Sequence, residues 1–511
     1  MTMYRDNKDL VWTIEKSGLV DDVEEASALL DSLGEIACKV RDTRSHNDRI
    51  GSRLDGCKVV KPEGLTRSCS LVTNAGYSCL TIKEGGPGLS YVVSNAVHEI
   101  IARADASVMV VLALTGGVAD TIETFGTPEA KTEILPKLVS GEYSGAMCLT
   151  EPEAGSDLSA LKTVATKDGN GYRISGEKIF ISSCDADVHV VLARDGNTQQ
   201  KSMYLVMARN NAVCVERVEE KCGLHASPTG TVVYDDSKAL LLGESGKGMS
   251  NMFRLMGLAR LGVAAQAIGA CQEACSLAFS YAEQRKQFKT ELVNLPGLRP
   301  VLDGMKLDLV AARALLYHTS NALDKLQKTP DKSDKHLVRR KMFLTKMFAT
   351  EHCYRAIDDA LQVHGGSGYM KEQGIEQLLR DARVFRIYEG TTQIQEQMFV
   401  QSLFKGGLAS LASQYADAIR IRWDCLDREI LRMERRIAQA ALRLGLKRRE
   451  DLAQYCAHWL ANMAADALAA RVLFTQSQHD ESRRQLAEQF TNYCLPRFHS
   501  NEEALYRGLR R

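Results

Sequence analysis

Between residues 21 and 40, Val23, Ala26, Leu30, Leu33 and Ala37 recur every three or four positions behind an acidic start. This pattern predicts an amphipathic helix whose first turn carries the charge its dipole favours. The first 145 residues read mostly helical in this way. The period then shortens: 172–181, 188–192, 202–206 and 231–234 are β-type runs, and Asp168-Gly169-Asn170-Gly171 supplies a hairpin turn. Past Gly248, Met252, Met256, Ala259, Val263 and Ala267 mark one face of a long helix. Long helices continue to about Lys405, broken by loops at 294–300 and 328–335, where prolines fall. In the Leu/Ala/Arg-rich tail, Leu426, Ile430, Met433, Ile437 and Leu444 trace another amphipathic helix. The expected order is a helical domain (1–145), a central β domain (146–245), a helical domain (246–405) and a helical extension (406–511).

The chain has 511 residues, several times the usual domain length of about 100–200, so multiple layers are expected. Its 65 basic and 64 acidic residues leave a formal charge of +1, which supplies no global field for nucleic acid or anionic lipid. The tail alone holds 18 basic and 13 acidic residues from Lys405 onward. The 14 cysteines form no repeated CxxC pairs; Cys271 and Cys275 are one helical turn apart without neighbouring ligands. They read as reduced cytoplasmic thiols, with no metal expected. The start, with Arg5, Asp6, Lys8 and Asp9, does not resemble a signal peptide. The most apolar stretch, 108–119, falls short of the roughly 20 residues that span a bilayer.

Three strings stand out. The first, Cys148-Leu149-Thr150-Glu151-Pro152-Glu153-Ala154-Gly155-Ser156-Asp157, follows a strand-like run and exposes amides and hydroxyls; alone it would be a capped turn. The second is Gln362-Val363-His364-Gly365-Gly366-Ser367-Gly368-Tyr369, whose glycines permit close backbone approach to a ligand. A helix precedes it, so it is no dinucleotide fingerprint, and alone it would be a helix C-cap. The third, Arg386-Ile387-Tyr388-Glu389-Gly390-Thr391-Thr392-Gln393, sets a carboxylate beside a glycine; alone it would be an acidic helix N-terminus.

In this order and at these separations, the strings resemble the acyl-CoA dehydrogenase family of flavoproteins over roughly residues 20–405. Gly85-Gly86-Pro87-Gly88-Leu89, the run from Glu99 to Asp105 and Phe125-Gly126-Thr127-Pro128-Glu129-Ala130-Lys131 add to the resemblance. With its tail, the chain looks most like the larger bacterial branch that includes 3-methylmercaptopropionyl-CoA dehydrogenase. The resemblance implies an N-terminal helical domain, a β-barrel-like middle domain and a C-terminal four-helix bundle, here with a helical extension.

It also implies a reaction. FAD would accept a β-hydride from an acyl-CoA thioester while Glu389 takes the α-proton. The backbone N–H of Glu389 would hold the thioester oxygen, and Gly390 would leave the thioester room. Arg260, in Leu258-Ala259-Arg260-Leu261-Gly262, matches an arginine that lies near the family's catalytic carboxylate; with Gly257 and Ser156 it would meet substrate. FAD contacts fall on Leu149, Thr150, Gly155 and Ser156, with Phe180 on the ring and Ser182 near N5. Arg285, Gln287 and Phe288 match an arm reaching the FAD of a neighbouring subunit, together with Gln362 and Gly366. Thr391 and Gln393 complete the cofactor shell. A homodimer or homotetramer is therefore expected, with electron-transfer flavoprotein as acceptor and the cytoplasm as location.

The chain departs from the family at several points. Phe180 and Ser182 stand where many members carry Trp and Thr, Lys289 replaces the glycine after the arm's Phe, and Gln377 stands where many have Lys or Arg. Other uses of the same fold are a flavin oxidase or monooxygenase, dehydrogenation of an acyl-carrier-protein thioester, and a DNA-binding, alkylation-response protein. The last would use Arg435, Arg436, Lys447, Arg448 and Arg449, but interleaved acids favour a salt-bridged helix face there, so nucleic acid is not an expected partner. The acyl pocket would involve 109–114 and 257–258.

Overall fold

In the computed structural model, residues 2–56, 58–404, 425–447 and 449–510 are described. They divide into two compact units: residues 1–6 with 28–262, and residues 7–27 with 263–511.

The helices in chain order are α1 (Lys8–Glu15), α2 (Val23–Ile50), α3 (Glu63–Asn74), α4 (Tyr91–Ala104), α5 (Ala106–Phe125), α6 (Pro128–Glu133), α7 (Leu135–Val139), α8 (Gly248–Gln284), α9 (Arg299–Lys328), α10 (Lys332–His364), α11 (Ile375–Ala382) and α12 (Thr392–Phe404). The tail contributes α13 (Cys425–Lys447), α14 (Glu450–His479) and α15 (Arg484–Gly508). The strands are β1 (Arg53–Asp55), β2 (Lys58–Val60), β3 (Gly145–Cys148), β4 (Val164–Asp168), β5 (Gly171–Ser182), β6 (Val188–Asp195), β7 (Lys201–Met207), β8 (Val213–Val218), β9 (Thr229–Leu242), β10 (Lys286–Gln287) and β11 (Thr290–Glu291).

In the first unit, β6, β4, β5, β9 and β7 pair in that order, and β7 returns to β6, so the ring closes and hides its own edges. β3 lies parallel to β6, and β8 adds to β9. The expected hairpin turn is present, with Asp168 facing Gly171 across Gly169-Asn170. Ile174, Ile181, Val191, Tyr204, Val232 and Tyr234 fill one apolar cluster of the barrel strands. A second cluster joins the barrel to its helices through Val118, Ile122, Leu138, Val190, Leu205 and Met252. Helix α5 fixes β3 closely: Gly145 N–H donates to Thr115 Oγ1 at 3.2 Å, and a Cβ on Gly145 would lie 2.7 Å from Val118.

The apolar stretch read as too short for a membrane is one part of α5, a 20-residue helix that is long and apolar enough to cross a bilayer. The helix runs past that stretch to Ala106 and Phe125, through Ser107, Asp120 and Glu123. Over half of its apolar window is buried against the first unit's own core, as in a core helix.

The second unit packs α9 on α10 and places α14 against α9, α10 and α12. Buried Asp308 on α9 gathers His352 Nδ1 at 2.9 Å, Arg355 Nη2 at 2.6 Å and Arg497 of α15 at 3.7 Å. Burial would raise its carboxyl, but these partners hold it down at about 2. Arg497 also takes Asp466 of α14 at 2.7 Å, so one arginine links two tail helices to Asp308 of α9. Helix α1 joins the same unit. Its Asp9 accepts from Arg313 at 2.8 Å and Arg483 at 2.6 Å, and Trp12 Nε1 donates to Asp480 at 2.6 Å.

Candidate active site

The candidate residues divide between the two units. In the first, the segment after β3 folds back on itself: Glu151 and Ala154 exchange backbone hydrogen bonds at 3.1 and 3.0 Å. The turn leaves Gly155 and Ser156 exposed, and a Cβ on Gly155 would meet nothing within 4 Å, so the turn is open on that side. Ile179 N–H donates to Thr150 O at 2.9 Å, which brings Leu149 and Thr150 beside the end of β5. There the β5–β9 register slips between Lys178 and Ile181. Phe180 sits in this bulge with φ +58°, a conformation bulky residues seldom adopt, and its side chain is turned out, with Phe180 62% exposed. Ser182 follows, opposite Thr229.

A buried lysine that the sequence reading left without a role supports this surface. Lys178 Nζ donates to Leu149 O at 2.9 Å, Glu151 Oε1 at 2.8 Å and Leu192 O at 2.7 Å. The Glu151 carboxylate also accepts the backbone N–H groups of Lys162 at 2.6 Å and Thr163 at 3.1 Å. Burial works to raise this carboxyl, but Lys178 and these donors hold it below the usual range.

Gly257 and Arg260 lie on α8 within the first unit, both buried. A Cβ on nearby Gly262 would stand 3.7 Å from Met109 Cε, so α5 and α8 approach where the acyl pocket is expected.

In the second unit, β10 and β11 form a small hairpin. Its two turn residues, Phe288 and Lys289, have φ +51° and +68°. Lys289 thus adopts the left-handed conformation that the family's glycine would take freely. Phe288 is 87% exposed, and Arg285 closes the arm by accepting Leu292 N–H at 2.9 Å on its carbonyl. The glycine-rich string is a helix end followed by a turn: α10 stops at His364 and Gly365 has φ +59°. Gln362 and Gly366 are exposed there, while buried His364 stacks on Tyr281 with ring centroids 4.5 Å apart.

Glu389 lies on a tight loop between α11 and α12, with φ +54°, and Gly390 follows with φ +90°. The Glu389 Oε2 atom is closed off from solvent. Tyr388 is fixed by its hydroxyl, which donates to Gln266 Oε1, and burial pushes its phenol well above the ordinary range. Gly390 O accepts from Lys346 Nζ at 2.8 Å and from Gln395 Nε2 at 3.0 Å; Gln395 Nε2 also reaches Glu389 O at 3.0 Å. Thr391 immediately precedes α12, its carbonyl accepting Gln395 N–H at 3.0 Å, and Gln393 is exposed on the first turn. Thr392 Oγ1 and Arg386 both bind Glu351, at 2.5 and 2.8 Å. Gln377, at the position noted as divergent, is buried 3.5 Å from Asp381 Oδ2.

The basic cluster of the tail is partly engaged. Arg436 pairs with Glu502 and Arg449 with Asp451, while Arg471 takes Glu434 and Asp427. Arg448 lies outside the described residues.

Comparison with known proteins matches residues 69–142, 146–237 and 246–404 to the N-terminal, middle and C-terminal domains of acyl-CoA dehydrogenase. The 3-methylmercaptopropionyl-CoA dehydrogenase of Ruegeria pomeroyi is 33% identical over 410 residues, covering 73% of this chain and 70% of that protein. The caffeyl-CoA reductase-Etf complex subunit CarC of Acetobacterium woodii is 32% identical over 329 residues, 63% of this chain and 84% of its own. A crystal structure of an acyl-CoA dehydrogenase complexed with FAD from Bacillus anthracis superposes with a TM-score of 0.85 at 22% identity, covering 97% of this chain and 91% of that one.

Proposed function

Because the chain belongs to the acyl-CoA dehydrogenase family, we propose that it oxidises an acyl-CoA thioester, using FAD, by removing the α-proton and the β-hydride to leave a Cα–Cβ double bond. The observation that carries this reading is the loop at Glu389, which holds a carboxylate oxygen out of water in a left-handed backbone conformation. One oxygen is shielded already, and a bound acyl chain would complete the desolvation that makes a carboxylate a stronger base for the weakly acidic α-proton.

The residues of the first unit fit a flavin. A bulge presents the Phe180 ring, Ser182 lies two residues on, and the open backbone of Gly155-Ser156 can meet polar atoms with no Cβ in the way at Gly155. Leu149, Thr150, Gly155, Ser156, Phe180 and Ser182 are assigned to FAD, as are Thr391 and Gln393. Bound FAD supplies the acceptor for the β-hydride. Glu389 takes the α-proton on its carboxylate, and its backbone N–H donates to the thioester oxygen as charge builds there. Arg260, Gly257, Gly390 and Ser156 are assigned to acyl-CoA binding, Arg260 as a buried cation.

The hairpin arm, with Arg285, Gln287 and an almost fully exposed Phe288, is assigned with Gln362 and Gly366 to the FAD of another copy, giving a homodimer or homotetramer. A large aromatic held out on a short turn supports that assignment. Electron-transfer flavoprotein is the proposed acceptor, a reading in line with the Acetobacterium relative's name, and the cytoplasm is the proposed location. Anaerobic titration with a panel of acyl-CoAs, following loss of the flavin absorbance, tests the reaction and reads out chain-length preference. Flavin that stays oxidised with every thioester would overturn the proposal.

A further inference from the structure

Glu389 carries a Cβ into left-handed backbone, and Gly390 continues at φ +90°, so the loop is not held by the intrinsic preference of its residues. Two side-chain nitrogens do hold it. Lys346, 0% exposed in the middle of α10, places Nζ 2.8 Å from Gly390 O. Gln395, 1% exposed on α12, places Nε2 3.0 Å from both Glu389 O and Gly390 O.

We infer that Lys346 and Gln395 are positioning residues, a two-donor clamp on consecutive carbonyls that sets the direction of the Glu389 carboxylate and backbone N–H. The inference rests on Glu389 being the base.

Burying a lysine is costly, and a charge-assisted hydrogen bond to a carbonyl recovers more of that cost than a neutral one. The backbone N–H of Gln395 donates to Thr391 O at 3.0 Å, which anchors its main chain in the first turn of α12, while its buried amide oxygen Oε1 has no hydrogen-bond partner among the described residues, so the two carbonyls are what orient the amide. If both carbonyls were released, the Glu389–Gly390 peptide could rotate and Glu389 could relax to negative φ, swinging its carboxylate away. The clamp also gives Gly390 a reason beyond leaving room for substrate: a Cβ there would lie 2.5 Å from Gln395 Nε2 and push the amide off its acceptors.

The test compares wild type with Lys346→Met, Gln395→Leu and, as a control on the base, Glu389→Gln, each as FAD-loaded full-length protein. Three quantities are read: the limiting rate of anaerobic flavin bleaching at saturating acyl-CoA, the Kd of a non-oxidisable acyl-CoA thioether, and amide hydrogen exchange over residues 387–392. The clamp predicts that Lys346→Met and Gln395→Leu each slow bleaching, toward about a hundredfold for a misplaced base. It also predicts faster exchange in the loop and a Kd within about threefold of wild type, since a positioning loss falls on the chemical step. Bleaching close to the wild-type rate, or slowed only in proportion to lost FAD with loop exchange unchanged, overturns the clamp. Should Lys346→Met fail to accumulate folded, Gln395→Leu is read by the same criteria, with Lys346→Arg as the conservative variant expected to keep part of the bleaching rate. An inert Glu389→Gln beside fully active clamp variants rejects the clamp and keeps the base; an active Glu389→Gln rejects the base itself.

Discussion

Lys178 Nζ and Glu151 Oε1 meet 2.8 Å apart, with the lysine side chain wholly shut off from solvent and the glutamate side chain 5% exposed. The lysine reaches across to Leu149 O and Leu192 O as well, so one buried charge fixes the segment assigned to FAD against two strands.

Lys178→Met would strand the Glu151 carboxylate in the barrel wall and should cost about 3–5 kcal/mol of stability, the usual loss when one partner of a buried pair is removed. Thermal or denaturant unfolding measures it, and flavin retained through gel filtration should fall in parallel. Because the folded Glu151 carboxyl is held below its ordinary value, its contribution is complete above about pH 4.3 and is lost as pH falls through the lower folded value. The difference between wild type and variant should therefore narrow below about pH 4.3.

The arm offers a gain in stability. Lys289 holds φ +68°, where a side chain costs about 1–2 kcal/mol that glycine does not incur. Glycine's larger loss of backbone freedom offsets part of this, so Lys289→Gly should stabilise the hairpin by up to about 1 kcal/mol. Slower exchange of the Leu292 amide, which bonds Arg285 O across the hairpin, is the direct check; faster exchange would contradict the turn geometry.

The tail reaches the helix that follows the Glu389 loop. His458 Nδ1 of α14 lies 2.8 Å from Glu396 Oε1 of α12, and Asn462 Nδ2 lies 3.4 Å from the same oxygen. The hydrogen bond to Glu396 raises the His458 pKa against the opposing effect of burial. The pair's contribution is thus full below the unfolded value near pH 6.5 and fades as pH rises through the folded one. His458→Gln should lower stability at pH 5.5 by about 0.5 kcal/mol, a figure reduced for the exposed imidazole, and by less at pH 9. Equal losses at both pH values would show that the ion pair contributes nothing.

Much of the architecture was legible because its signals are periodic. The alternation over 172–181 and the Gly169-Asn170 turn mark β5 and its hairpin, and the apolar spacing after Gly248 marks α8. The candidate site was legible as strings and much less as geometry. Phe180 is aimed outward by a bulge, and a bulge breaks the period of two from which facing is read. Lys178 did leave a trace, since it shares strand parity with Tyr172 and buried Ile174, where a lysine needs a carboxylate. Lys346 sits among Phe343, Leu344, Met347 and Phe348, an apolar setting like that of Arg260 between Ala259 and Leu261. Its acceptor, 44 residues on, carries no side-chain signal because it is a backbone carbonyl.

The central claim is that Glu389 removes the α-proton, and anaerobic flavin bleaching by acyl-CoA in Glu389→Gln tests it most directly. The substitution keeps the size and the backbone N–H while removing the base. The account predicts a variant that binds FAD and acyl-CoA yet bleaches slower by at least about a thousandfold, within the range general-base catalysis supplies. Bleaching at the wild-type rate would contradict it.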